Sequence, residues 1–132
     1  MPPTPPPPAV HGAEAEAMEV LWDLGEAPVR AVMDALNDKA EAPRAYTTYM
    51  TMLGRLHNKG LLTRRREEKT DYYRPVHTRE EYADLRAQVE VAAVIDAFGD
   101  VALGHFARQM ADLDPERRAA LEQLARGIND SV

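Results

Sequence analysis

Residues 45–66 read AYTTYMTMLGRLHNKGLLTRRR, and this stretch decides the fold. Tyr49, Met52, Leu53 and Leu56 recur at i, i+3, i+4 and i+7, the apolar stripe of a helix over about 45–59. With that stripe turned inward, Thr47, Thr48, Thr51, Gly54, Arg55 and Asn58 fall on or near the outer side. Threonine is a modest helix former, so three of them within five positions do not suit a purely structural helix. Their hydroxyls can bond phosphates and their methyls can touch thymine methyls. The structural alternative is that Thr47 or Thr48 caps the helix start. Lys59 stands at the far end, and Gly60 suits a left-handed stop.

Beyond that glycine, Leu61-Leu62-Thr63-Arg64-Arg65-Arg66 and Thr70-Asp71-Tyr72-Tyr73-Arg74-Pro75 read as two short strands around Glu67-Glu68-Lys69. Arg64, Arg65, Arg66 and Lys69 are candidate phosphate contacts, and Tyr72 or Tyr73 is expected to close the core. Alternate residues of a strand face opposite ways, so one side should turn inward and not all three arginines should meet one ligand. Upstream, Ala17, Met18, Leu21 and Trp22 keep helical spacing between about Ala13 and Leu24, where Gly25 ends the run. Pro28 is placed to open a second helix, about 28–39, with Val29, Val32, Met33 and Leu36 on one face. Pro43 marks the break before the third helix. Three helices and a basic hairpin are the order of a winged helix-turn-helix, here residues 12–77. Its third helix suits a major groove and its hairpin the phosphates alongside.

The flanks differ in kind. Residues 1–11, MPPTPPPPAVH, are expected to form a disordered proline-rich leader that samples polyproline II and does not pack. From Thr78 onward three helices follow and no strand, so the fold class is mainly α with a small β-hairpin. Thr78 and Glu81 match a capping box. The helix after it, about 79–97, carries Tyr82, Leu85, Val89, Ala92 and Ile95 at near-heptad spacing. Gly99 breaks it; Val101, Leu103, Phe106 and Met110 mark a shorter helix, and Asp114-Pro115 opens a last one with Leu121 and Leu124. Segments this thin do not close a core alone. Residues 78–128 are therefore expected to be a helical dimerisation region. Its candidate contacts are Tyr82, Leu85, Val89, Ala92, Ile95, Phe106, Met110, Leu121 and Leu124; packing back on the winged helix is the alternative.

Charge agrees once it is divided along the chain. The 132 residues carry a net charge of −6, but 44–74 hold eight Lys/Arg against three acids, net +5, while 78–132 hold six Arg against eleven acids, net −5. A basic stripe attracts phosphates while the acidic remainder limits contact with other surfaces. The chain has no cysteine, which excludes disulfides and thiolate metal sites and fits a reducing compartment. There is no apolar run long enough to span a bilayer and no signal-peptide order at the start, so no membrane insertion and a cytoplasmic location are expected. The four histidines (11, 57, 77, 105) lack metal-ligand spacing, and no phosphate loop, nucleophile elbow or paired carboxylates stand out. No enzymatic activity, cofactor or metal is expected. A winged-helix protein-interaction module is the alternative to a DNA-binding protein, although interaction surfaces favour aromatic anchors over threonines.

Two stretches, AEAEAMEVLWDLGEAPVRAVMDALN (13–37) and AYTTYMTMLGRLHNKGLLTRRREEKTDYYRPV (45–76), resemble the penicillinase repressor family. The likeness covers about residues 14–77 and rests on Tyr46-Thr47-Thr48, Thr51, Arg55-Leu56, Lys59-Gly60-Leu61 and Tyr73-Arg74-Pro75; the tail matches in layout. The resemblance implies a homodimeric repressor held by its C-terminal helices. Such a repressor binds a palindromic operator of double-stranded DNA before a β-lactam-resistance or stress gene. For some members it also implies a sensor protease as partner. It puts Thr48, Thr51 and Arg55 at recognition-helix positions, Lys59 at the helix end and Arg64 to Arg66 on the first wing strand. The chain departs from some members in carrying Thr47 and Met50 where they place basic residues, and an Asn-Phe cleavage step has no counterpart near Phe98–Phe106. The cysteines of copper-responsive members are absent.

Overall fold

The computed structural model describes residues 5–130. In chain order the elements are α1 (Gly12–Leu24), β1 (Ala27–Pro28), α2 (Val29–Asn37), α3 (Tyr46–Asn58), β2 (Leu62–Glu67), β3 (Thr70–Pro75), α4 (Arg79–Phe98), α5 (Asp100–Ala111) and α6 (Pro115–Asp130). The expected helices and hairpin are present, and the fold is mainly helical with a small antiparallel sheet of order β1-β3-β2. β1, which no sequence pattern announced, pairs Ala27 with Tyr73 and Pro28 with Tyr72. Pro28 is thus not the first residue of α2 but its N-cap, with extended backbone (φ −78°, ψ 164°) on a sheet edge where a missing N–H is harmless.

Two compact units divide the chain, Met1–Val89 and Glu90–Val132, so the division falls inside α4. In the first, the apolar stripes of α1, α2 and α3 meet under the sheet. Ala17, Met18, Leu21, Val32, Tyr49, Leu53 and Leu56 are almost fully enclosed, with Leu61, Leu62 and Tyr73 completing the core. Of the two tyrosines, Tyr73 closes the core; Tyr72 stays half-buried. The joint between α3 and β2 is set by Gly60 at φ 82°. Its N–H donates to the His57 carbonyl (3.0 Å), and the Leu61 N–H donates to the Leu56 carbonyl (3.0 Å). That pair of bonds is a Schellman stop, and the buried Leu61 seals it.

Two expectations about this unit change. The described part of the leader does pack, residues 1–4 lying outside the described residues: Pro7 is buried, Val10 lies against the core, and the carbonyls of Pro7 and Pro8 accept bonds from Arg86 Nη1 (3.0 Å) and Tyr82 Oη (2.9 Å). Prolyl carbonyls have no partners within their own segment, which makes them ready acceptors for donors elsewhere. Tyr82 therefore serves its own winged helix, its ring 5.3 Å from that of Trp22, rather than the apolar stripe that follows it on α4. The capping box is present as expected, with Thr78 N–H on Glu81 Oε1 (3.2 Å) and Glu81 N–H on Thr78 Oγ1 (3.1 Å).

In the second unit, α5 and α6 are joined by a tight corner. Arg118 donates to the carbonyls of Met110 (3.1 Å), Ala111 (2.9 Å) and Leu113 (3.0 Å), satisfying the end of α5. Asp114 accepts from the Arg117 N–H (2.8 Å) at the start of α6. Among the described residues of this unit only Ala102 is buried. Val94, Phe98, Val101, Leu103, Phe106, Leu124 and Ile128 are all exposed, Phe98 and Val101 each by 66%. No helix among the described residues is long and apolar enough to cross a membrane.

Candidate nucleic-acid interface

The site is built from α3 outward. Burial of Tyr49, Met52, Leu53 and Leu56 fixes the rotation of α3 and leaves Thr47, Thr48, Thr51, Arg55, Asn58 and Lys59 in solvent. Neither Thr47 nor Thr48 caps the helix: Ala45 is the N-cap and makes no side-chain capping bond. The threonine hydroxyls are thus not consumed by the helix start. Thr47, Thr48, Thr51 and Arg55 share a shallow groove with His11 and Glu14 from α1 and the turn before it.

Side-chain bonds hold α3 at its angle. Asn37, the last residue of α2, accepts from Tyr49 Oη (2.6 Å) and from the Arg44 N–H (3.0 Å), and its Nδ2 donates to the Arg44 carbonyl (2.9 Å). One amide group thereby closes the turn between α2 and α3 and ties it to a buried tyrosine. At the other end Lys59 Nζ meets Glu14 Oε2 at 2.8 Å, linking α3 to α1. Arg30 lies over the Tyr46 ring at 5.5 Å, close to the start of α3.

The wing carries the remaining predicted residues. The register Leu62↔Pro75 to Glu67↔Thr70 leaves Glu68 and Lys69 at the tip, with Glu68 at φ 56°. Contrary to the expectation that one side of β2 turns inward, every residue of that strand after Leu62 is exposed. β2 is the edge strand and runs past the core beyond Leu62, so both of its faces meet solvent there, while β3 beside it keeps Tyr73 buried. The pleat still separates the arginines, placing Arg64 and Arg66 on one face and Arg65 on the other. Arg65 donates to Glu26 through Nη2 (2.8 Å) and Nε (3.0 Å), and to Glu67 through Nη1 (3.0 Å). Its guanidinium also stacks 4.7 Å from the centre of the Tyr72 ring. This forked pairing raises the Arg65 pKa and, mainly through the hydrogen bond from Arg65, holds the Glu26 carboxyl below its ordinary value.

The nine predicted contact residues therefore fall into two groups. Thr47, Thr48, Thr51, Arg55, Arg64, Arg66 and Lys69 are exposed, and among the described residues none of these four cations forms an ion pair. Lys59 and Arg65 are exposed but engaged by carboxylates of their own chain. The sequence reading missed Asn37 and Glu26. An asparagine closing a helix was a usable signal for the first; nothing local to Glu26 pointed to a partner 39 positions away.

Comparison with known proteins bears on this geometry. A family model described as penicillinase repressor matches residues 11–127. The transcriptional regulator BlaI of Mycobacterium tuberculosis is 36% identical over 117 residues, spanning 86% of this chain and 83% of that protein. The solution structure of the DNA-binding domain of the repressor BlaI superposes with a TM-score of 0.50 at 29% identity, covering 58% of this chain and 90% of that one.

Proposed function

The chain belongs to the penicillinase repressor family and is a DNA-binding transcriptional regulator, and from that premise we propose that it represses as a homodimer on an inverted-repeat operator. The observation that carries this reading is the outer face of α3, where three exposed threonines and Arg55 stand opposite a fully buried apolar face. In the proposal each protomer lays α3 in a major groove. Thr47, Thr48 and Thr51 contact base edges and phosphates, and Arg55 makes a charge-assisted phosphate contact. Arg64, Arg66 and Lys69 run along the flanking backbone. Lys59 and Arg65 act first as positioning residues, and each reaches a phosphate only by exchanging its carboxylate.

The homodimer rests on the second unit. Ala92 and Ile95 of α4, with Phe106, Met110, Leu121 and Leu124, supply apolar surface there, and Phe98, Val101 and Leu103 add to it, while Leu85 and Val89, at the end of the first unit, are proposed contacts of the same dimer. A patch of this extent on a single copy calls for a cover, and a second copy buries it through a two-fold, self-complementary contact. Two-fold symmetry then sets half-sites about 10 base pairs apart, or a multiple of that. A penicillinase gene, or another resistance or stress gene, is the proposed target.

The test is selection of genomic fragments by the purified protein at physiological salt, followed by footprinting. Protection of a short inverted repeat at nanomolar protein supports the proposal and names the regulated gene by its position. Weak binding, indifferent to sequence and erased by salt, defeats it.

A further inference from the structure

The motif that DNA recognition leaves unused is the proline run, and the structure gives it a partner. Pro5–Pro8 form four consecutive prolines, each with φ held near −65° by its ring, so the segment is extended and already stiff. Such a segment offers carbonyls and no N–H groups. A surface that reads it therefore needs donors, and a ring to lie against. Tyr82 and Arg86 are four residues apart on α4, hence neighbours on one helix face. Tyr82 Oη donates to the Pro8 carbonyl at 2.9 Å and Arg86 Nη1 to the Pro7 carbonyl at 3.0 Å, so two donors meet two successive prolyl acceptors. Pro7 is buried, and Val10 anchors the register against the core.

The Tyr82 ring is itself held. It lies 5.3 Å from the Trp22 ring, whose Nε1 donates to the His77 carbonyl at 2.9 Å. Arg79 packs over the same indole at 5.6 Å and is fixed by Glu19 (2.8 Å) and Asp23 (2.9 Å). The ring that carries the Tyr82 donor is thus pre-set, as is the ligand, and little ordering remains to be done on binding.

We propose that Tyr82 and Arg86, backed by Trp22, form a prolyl-recognition site whose ligand is the chain's own leader, Pro5–Val10, bound in cis. The leader is a separable ligand and not merely a packed segment. Its occupancy ties the first turns of α4 to α1. A short tether holds the leader at an effective concentration on the order of millimolar. The site is then mostly closed when the free segment binds with a Kd of about 0.1 mM or below.

Trp22 is the only tryptophan, so its emission reports the site directly. Residues 2–8 are removed, leaving Ala9 and Val10 in place, and a blocked peptide with the sequence of residues 5–10 is titrated back. Truncation should shift Trp22 emission and speed amide exchange over 82–89. The peptide should reverse both saturably, a peptide with its prolines replaced by alanine should not, and Tyr82→Phe in the truncated chain should weaken the peptide roughly three- to tenfold, one hydrogen bond's worth. Emission and exchange indifferent to truncation overturn the proposal, as does a folded truncated chain that the peptide does not change. Should truncation prevent folding, Tyr82→Phe with Arg86→Gln in the full chain decides: faster exchange over 82–89 upholds the site, and exchange at the unaltered rate refutes it. No readout involves DNA, so failure here is separate from failure of the operator reading.

Discussion

Asn37 joins the Tyr49 hydroxyl and both backbone groups of Arg44 through one side-chain amide, with distances of 2.6, 3.0 and 2.9 Å. Its loss strands a part-buried hydroxyl and opens the turn that aims α3. Asn37→Ala should lower stability by about 1–3 kcal/mol in urea unfolding, the penalty of unmatched buried polar groups, and should weaken DNA binding without removing a contact. Arg55 is the opposite case, exposed and without an ion pair among the described residues. Arg55→Ala should leave the unfolding midpoint within about 0.5 kcal/mol and reduce the salt dependence of binding by roughly one phosphate; an unaltered slope takes Arg55 out of the contact set. Glu26 gives a pH-dependent prediction. Its folded pKa is lowered from 4.5 by the Arg65 bond, so the tether is fully present above 4.5 and is lost as pH falls below that, through the folded value. The Arg65 Nε resonance should report this acid transition, and Glu26→Gln should abolish it.

At the scale of elements, the wing is only as well aimed as the joint that launches it. Gly60 sits at φ 82° with open space where a Cβ would be, so a substitution there is opposed by the backbone alone. Gly60→Ala should destabilise by about 1–3 kcal/mol, and Gly60→Asn by less, as thermal unfolding would show; equal effects would point to packing instead. This joint was legible in the sequence, as were α1 to α3 and the hairpin, because stripes such as Tyr49, Met52, Leu53 and Leu56 and stops such as Gly60 act over a turn or two. β1 was not legible, since two residues, one a proline, carry no alternation. Nor was the seat of Tyr82. It kept heptad spacing with Leu85 and Val89, but its partners are Trp22 and a carbonyl 74 positions away. Arg65 was readable as a wing cation and unreadable as a tethered one for the same reason. In both cases a pattern along the chain locates a face without saying which distant group has taken it.

Among the described residues of the molecule, the first unit leaves a basic, hydroxyl-bearing surface open and the second an apolar one. The formal charge follows the same division, net +5 over 44–74 and net −5 over 78–132, so the tail does not compete for phosphates. If the apolar surface is a dimer contact, Phe98→Ser with Phe106→Ser should yield a monomer by light scattering. That variant should lose most affinity for a full inverted repeat while keeping affinity for a half-site, because only the effective concentration of the second reading head is lost. A dimer that survives the double change places the contact elsewhere. The decisive experiment is a binding titration of the 132-residue protein against its footprinted inverted repeat and a scrambled duplex of equal length, at the same physiological salt. A protein that reads its operator binds the repeat at least about a thousandfold tighter. Equal affinity for the two duplexes would contradict operator reading, leaving a basic surface that holds DNA without reading it.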